Sequence, residues 1–477
     1  MFTTRNSRSA WILALPLALG GCAPAIHAPS PESVRPPQFG KTLTILEAGA
    51  TSPNSPWPDT LWWHSLKDPV LDRILSIGLR PDNPVLQAAR AQRQWTAAMV
   101  QLRRSALGPQ LALSGQVTPM EFSNNGAFGA LGLGHRFYDS GTAGLGFQQT
   151  LDFWGYHHDL VQAALGEAAA SQAREADTRR LLAATLVEQY LDWGAAERIA
   201  ALLRQKEQLA REQLELARQR HALGLDSQLP LQQLERQLQG TIESRVQWQK
   251  IATDSRLALA QSAGLGPDRL PTHAPLPPQQ APVIIPAHIH LDLFAHRPDV
   301  RAALELAKAS QAQTKAAQAA FYPNISFATL LDLDSAHLAT LFTPGSIAWQ
   351  FGPALHLPLF QSGALHARLH GAEARQELAI ALYEQTLLGA VRQALQALNE
   401  LNRSQQALAA STIAWNSGRA SLKLASTRVD LGLEARPRYL AEESSQLQRS
   451  IHRTMAELST WKAWTAWQTA LGGGYGQ

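Results

Sequence analysis

The chain has one cysteine, Cys22, and fifteen histidines, so thiol chemistry and metal ligation are the first reactivities to weigh. His366 and His370 are four residues apart and would share a helix face, but the HARLH sequence lacks the glutamate of a zinc-protease motif. His157-His158 and the group His288, His290 and His296 have no Cys, Asp or Glu at a recognisable ligand spacing. These side chains are expected to be solvated or interfacial, not metal ligands. No nucleophile motif, phosphate loop or dinucleotide fingerprint occurs, so no catalytic residue, cofactor or metal is expected and the chain does not read as an enzyme. The formal charge of +4 gives no support for nucleic-acid binding.

Cys22 has an informative context. Arg5 and Arg8 precede an apolar run from Ala10 to Gly20, followed by small residues, which is the pattern of a secretory signal. The run is too short to cross a bilayer as a helix. A lone cysteine in an exported chain excludes internal disulfides. Leu19-Gly20-Gly21-Cys22 resembles a bacterial lipobox, in which cleavage before the cysteine leaves a thiol that carries lipid and an amine that is acylated. The plain alternative is an incidental cysteine beside a signal peptide. Residue 23 is alanine, not the aspartate that often signals inner-membrane retention, so the same resemblance implies the outer membrane.

The rest of the chain must position whatever this anchor holds. Residues 1–21 read as signal peptide and 22–58, with eight prolines from Pro24 to Pro58, as an extended tether. Leu61-Trp62-Trp63 and Asp68-Pro69 introduce a short amphipathic stretch to Leu79. A helix is expected from Pro84, with Ala88, Ala91, Trp95, Ala98 and Leu102 on one face, ending at Gly108-Pro109. Leu111, Leu113 and Val117 then alternate with Ala112, Ser114, Gln116 and Thr118 as a strand. The glycine-rich stretch 122–144 reads as a flexible loop, and a second strand runs through Leu145, Phe147, Leu151 and Phe153. A proline-free helical pattern from Gly155 to Ala222 would make a rod of about 100 Å. Leu223-Gly224-Leu225-Asp226-Ser227 supplies a glycine C-cap and candidate N-caps, and a return helix follows from about Pro230 to Ala263. Six prolines between Pro271 and Pro286 mark a linker, taken as 267–286.

The same plan then recurs. Ala302, Leu306, Ala309, Ala312, Ala316 and Ala319 recur at helical spacing until Tyr322-Pro323, where the period changes to two. Ile325, Phe327, Leu331 and Leu333 make one strand; after Thr343-Pro344-Gly345, Trp349, Phe351, Leu355, Leu357 and Leu359 make another. A long helix from about Ser362 to Val429, a turn at Leu431-Gly432-Leu433-Glu434 and a helix from about Pro437 to Leu471 complete it. Gly224 and Gly432 are 208 residues apart, so residues 59–266 and 287–477 read as two repeats. With 7% aromatic residues, the helices are expected to pack by close knobs-into-holes contact, not around a bulky aromatic core.

Each strand has the length that crosses a bilayer when tilted, and a membrane sheet must close into a barrel. The smallest outer-membrane barrels have about eight strands, whereas this chain offers four, so several chains are expected to share one barrel. Long amphipathic rods packed around the same axis would extend it as a helical tube.

Several stretches resemble the TolC-like outer-membrane efflux factors, closest to the lipoprotein branch that serves resistance-nodulation-division pumps. They are Asn83-Pro84-Val85-Leu86, Leu151-Asp152-Phe153-Trp154-Gly155, His296-Arg297-Pro298-Asp299-Val300-Arg301-Ala302-Ala303, Ala320-Phe321-Tyr322-Pro323, Leu357-Pro358-Leu359-Phe360 and Ala470-Leu471-Gly472-Gly473-Gly474-Tyr475. The resemblance implies a mainly α protomer in a trimer with a twelve-stranded membrane β-barrel and a periplasmic α-helical barrel. It implies a passive exit duct for drugs or other small molecules, docked to a periplasmic adaptor and an inner-membrane pump. The turns at Gly224 and Gly432 would then lie at the periplasmic entrance. The acidic constriction residue of many members falls near Ala441 here; Arg438, Glu442 and Glu443 are the neighbouring candidates for the gate, the alternative being charges that solvate a helix surface. Export of proteins or metal ions, and a lipid-anchored periplasmic scaffold without a pore, are the competing readings.

Overall fold

The computed structural model describes residues 24–29, 57–272 and 297–475. Cys22, His288, His290 and His296 lie outside them, as does most of the tether and linker. The described residues fall into two units. One joins Arg93–Ser171 and Ala303–Tyr383 with 24–29; the other joins 57–92, 172–272, 297–302 and 384–475.

In chain order the elements are α1 (Pro69–Gly78), α2 (Pro84–Ser105), β1 (Gln110–Glu121), a single turn α3 (Ala127–Ala130), β2 (Phe137–Leu151), α4 (Tyr156–Ala222), α5 (Gln228–Ser262), α6 (Pro298–Ala319), β3 (Asn324–Ser335), β4 (Ile347–His356), α7 (Ala364–Asp430) and α8 (Arg436–Ala470). The duplication is metrical. The opening helices α2 and α6 have 22 residues each, the long helices α4 and α7 have 67, and α5 and α8 have 35. None of the helices is long and apolar enough to cross a membrane among the described residues.

In the first unit the strands form one antiparallel sheet in the order β1-β2-β3-β4. The sheet departs from the sequence expectation at two places. β2 begins at Phe137, so the second half of the glycine-rich stretch is strand, not loop. Its glycines make room for neighbours: a Cβ on Gly141 would come 3.1 Å from Leu338 and Leu341, and one on Gly144 2.8 Å from the Asp332 Cβ. The inner strand ends are also shorter than expected. Phe153 lies beyond β2, where Gly155 takes φ +78° and the Asp152 carboxylate accepts from the His158 N–H at 2.7 Å to start α4. Leu357 and Leu359 lie beyond β4, whose last pair joins His356 to Asn324, the first residue of β3.

Within the same unit the helices approach closely. Gly166 on α4 meets α6 where a Cβ would stand 2.9 Å from that of Ala309. Trp154 stacks on Tyr322 with centroids 5.0 Å apart, and its indole N–H donates to the Pro323 carbonyl at 2.8 Å.

The second unit holds a core that the low aromatic content does not anticipate. Trp62, Trp63, Trp193, Trp461, Trp464 and Trp467 are all buried in one cluster with Leu71, Leu75, Leu186, Leu191, Leu259 and Leu401. The expectation of a core without bulky aromatics is therefore wrong at this level. Chain-average composition hides the concentration of tryptophan in one layer, where Trp461, Trp464 and Trp467 recur every third residue on α8. Asp68 caps α1 by accepting from the Val70 and Leu71 N–H groups, and its second oxygen accepts from the Tyr190 hydroxyl at 2.8 Å. Burial, and then this hydrogen bond, pushes the Tyr190 hydroxyl far above its ordinary pKa.

Candidate functional site

The sheet has two chemically distinct faces, and its register aligns them across all four strands. Leu113 opposes Leu145, which opposes Leu331, which opposes Trp349. Leu111, Phe147, Thr329 and Phe351 form the adjacent row. The other face carries rows such as Ala112, Gly146, Leu330 and Gln350, or Ser114, Gly144, Asp332 and Ala348. The apolar face is bare: Leu113 is 81% exposed and Trp349 68%. Exposed aromatic residues stand at one end of the strands at Phe137 and just beyond the other at Phe153, Trp154 and Phe360, while Trp349 and Phe351 lie in the apolar rows between. That is the girdle pattern of a sheet immersed in lipid. The strands contain no Lys or Arg, and Asp332 and Asp334 on the polar face make no ion pair among the described residues. β1 and β4 are open edges, which hydrocarbon does not tolerate.

The second unit presents the two turns between the long helices. Gly224 and Gly432 take φ +72° and +70°, the left-handed conformation that ends a helix most cheaply at glycine. Ser227 occupies the N-cap of α5 but makes no side-chain cap bond, and Asp226 is committed elsewhere. The Arg220 guanidinium donates to the Asp226 carboxylate at 2.7 and 3.1 Å, closing the first turn. That hydrogen bond first, and the Arg220 charge with it, hold Asp226 below the ordinary carboxylate range. Arg428 and Glu434 close the second turn in the same way at 3.0 Å. Leu223 and Leu225 at one turn, and Leu431 and Leu433 at the other, are between 63% and 75% exposed. A further ion pair joins the two hairpins, from Arg436 on α8 to Glu212 on α4.

The residues singled out from sequence around this region are not brought together as one charge cluster. Arg438 is 74% exposed and lies 3.6 Å from Glu434, while Glu442 accepts from Arg449 at 3.1 Å. Glu443 accepts from the Tyr439 hydroxyl, whose pKa is raised by burial and then by the Glu443 charge. Sequence reasoning missed Arg436, Glu212 and the two turn-closing pairs. The signal for the latter was present, since Arg220 and Asp226 recur as Arg428 and Glu434 at the 208-residue offset.

Of the histidines singled out from sequence, those within the described residues have other partners. His366 meets the Phe321 ring edge-on at 5.1 Å, and His370 pairs with Glu373 at 3.0 Å. His158 hydrogen-bonds Asp159 and Gln162. Among the described residues no three His, Cys, Asp or Glu side chains converge as a metal site.

A lipid-type face, open sheet edges and paired long helices describe a chain built for a membrane conduit, and its relatives agree. The profile described as Outer membrane efflux protein matches residues 79–265 and 292–473. The chain belongs to that family. It is 29% identical to the multidrug resistance outer membrane protein MdtP of Escherichia coli (strain K12), over 97% of this chain and 96% of that protein. It is 33% identical to the outer membrane protein OprJ of Pseudomonas aeruginosa, over 68% of each chain. The crystal structure of the outer membrane protein VceC from Vibrio cholerae superposes with a TM-score of 0.77 at 26% identity, covering 88% of this chain and all of that one. The fold class is therefore that of the efflux channels, a membrane β-barrel joined to an α-helical barrel. The protein is an outer-membrane exit duct for efflux, a transport conduit and not an enzyme. Channels of this family are trimers that work with an adaptor and an inner-membrane pump.

Proposed function

We propose that three copies of this chain form a duct for drug-like small molecules, lipid-anchored at Cys22 and supplied through a periplasmic adaptor by a resistance-nodulation-division pump. The carrying observation is the four-stranded sheet with an apolar face, a polar face and two open edges. Three such sheets joined edge to edge make a twelve-stranded closed wall with an acidic lumen. Exposed apolar residues on the helices, including Leu378, Leu382, Ile413 and Leu424 of α7, supply the contacts that neighbouring copies require. The drug reading is supported by relatives named for multidrug resistance. The exposed leucines at both turns fit an adaptor that docks through an apolar helical tip.

The gate candidates are Arg438, Glu442 and Glu443, each in a contact of its own, and beside them the Arg436–Glu212 pair, which ties one hairpin to the other. The leader is 1–21, the tether 22–58, and the two repeats are joined by the linker 267–286. Gln318 on α6 donates to the Pro24 carbonyl at 2.8 Å, which supports an anchor leaving the protein beside the strands. Deleting the protein from its source bacterium tests the cargo. Ethidium accumulation is expected to rise and to fall again on complementation. Unchanged ethidium accumulation with new sensitivity to a transition metal, or a lost secreted protein, would replace the drug reading by one of the other exports.

A further inference from the structure

Residues 24–29 lie against α6 and α7 with a bend at Ala28, Pro24, Ile26 and Ala28 being half-buried and Ala25, His27 and Pro29 exposed. Three side chains hold this segment, and all three take main-chain groups. The Gln318 amide donates to the Pro24 carbonyl at 2.8 Å, and the Gln376 amide donates to the Pro29 carbonyl at 2.6 Å. Between them the Glu373 carboxylate accepts the His27 N–H at 2.8 Å. Glu373 is 7% exposed and Gln376 1%, so these are polar groups set into the helix surface, not solvated ones. Glu373 has no Lys or Arg partner among the described residues; its other contact is His370 at 3.0 Å, with the His27 ring 3.8 Å away. A buried carboxylate is stabilised mainly by the N–H groups it receives. The His27 N–H is the largest influence holding Glu373 below its ordinary pKa.

We propose that Gln318, Glu373 and Gln376 form a seat that reads the main chain of the mature N-terminus and fixes where the anchor leaves the protein. Gln318 is three residues before Phe321-Tyr322-Pro323, where α6 gives way to β3. Cys22 lies two positions before Pro24, and chain geometry keeps Cα atoms two positions apart within about 7.6 Å. An anchor seated there meets the membrane at the foot of the barrel, beside the aromatic residues that mark that level. The seat tolerates any side chain at 27 and fails only when the N–H is lost. The lipid on Cys22 belongs to the function proposed above, but the seat itself does not depend on it.

The test uses the full-length protein purified from membranes, with Ala25→Cys as a spin-label site. With Cys22 lipidated, the thiol introduced at position 25 is the one free thiol. The label is expected to be immobilised in this protein and equally so with His27→Ala. With His27→Pro, which removes the donor, and with Glu373→Ala or the Gln318→Ala/Gln376→Ala pair, the spectrum is expected to shift to free nanosecond motion. Mass spectrometry should find the lipid and one label per chain in every variant. Mobile spectra throughout, or release by His27→Ala as large as that by His27→Pro, would overturn the main-chain seat. Two labels per chain would show Cys22 unmodified and remove the lipid anchor, leaving the seat to be judged by the spectra alone.

Discussion

Arg297 gives the sharpest energetic prediction. It is 1% exposed and makes four hydrogen bonds within the second unit. Two go to the Asp299 carboxylate at 3.0 and 2.6 Å, one to the Gln393 amide oxygen at 2.9 Å and one to the Ala470 carbonyl at 3.1 Å. Arg180, paired with Asp177, donates to the neighbouring Thr469 carbonyl at 2.6 Å. Two guanidinium groups thus cap the C-terminal end of α8, where the helix dipole favours positive charge. Arg297→Met keeps much of the volume but strands Asp299 and uncaps Ala470. Removing one partner of a buried pair costs about 3–5 kcal/mol. Asp299 retains some contact with solvent, its side chain being 26% exposed, which places the expectation at about 3 kcal/mol. At 1.4 kcal/mol per tenfold, that is about 100-fold faster amide exchange in the last turns of α8.

The pH dependence has a defined sign. Burial raises the Asp299 pKa, but the Arg297 hydrogen bonds and the charges of Arg297 and Arg180 outweigh it and leave a net lowering. A lowered carboxylate pKa contributes stability that is fully present above the ordinary carboxylate range and is lost as pH falls through the folded value. Without Arg297 the burial effect dominates, so the gap between the wild type and the variant should narrow as pH falls toward about 4. Arg297→Lys should fall between the two, because an ammonium cannot reproduce the two-pronged contact. Exchange in Arg297→Met within threefold of wild type, or a gap that widens in acid, would refute this account.

The two faces of the sheet make a matched pair of predictions. Leu113→Arg places a cation on the lipid face, where it costs about 2–4 kcal/mol per chain near the bilayer midplane, and heat-stable oligomer should be lost on gels. Gln116→Arg, three residues along and on the polar face, should assemble normally. At the turns, Arg436→Glu sets like charges against Glu212, and vancomycin should enter whole cells more readily. The exchange Arg436→Glu with Glu212→Arg should restore exclusion; a leak from the double exchange as large as from the single would mean the pair does not close the entrance. Cys22→Ser should abolish palmitate incorporation, and unchanged labelling would end the lipobox reading.

Much of this architecture was legible because proline, glycine and periodicity are local signals. Pro109 and Pro323 mark the change from helix to strand, and the glycines at 224 and 432 mark turns whose conformation only glycine adopts cheaply. The alternation at Leu111–Val117 and Ile325–Leu333 set the faces that the register later aligned. What was hidden depends on distant partners. Gly141 and Gly144 look like loop residues until Leu338, Leu341 and Asp332 pack beside them. Gln318 on α6 and Glu373 and Gln376 on α7 look like solvated helix positions, and nothing local shows that they bond the main chain of residues 24–29. Arg297 reads as one charge in a polar stretch, since the Ala470 carbonyl that it caps is 173 residues away. The gate candidates were placed by analogy to a position that reads Ala441 here, and such counting carries no information about which side chains face one another.

Planar-bilayer conductance of the purified protein tests the central claim most directly. Wild type should give small, brief openings and Arg436→Glu larger and longer ones. Rings of carboxylates favour cations, so the reversal potential in a salt gradient should show cation preference, reduced by the Asp332→Asn/Asp334→Asn pair. Absence of channel events from both wild type and Arg436→Glu would contradict the conduit, and anion preference unaffected by Asp332 and Asp334 would contradict the assignment of the polar face to the lumen.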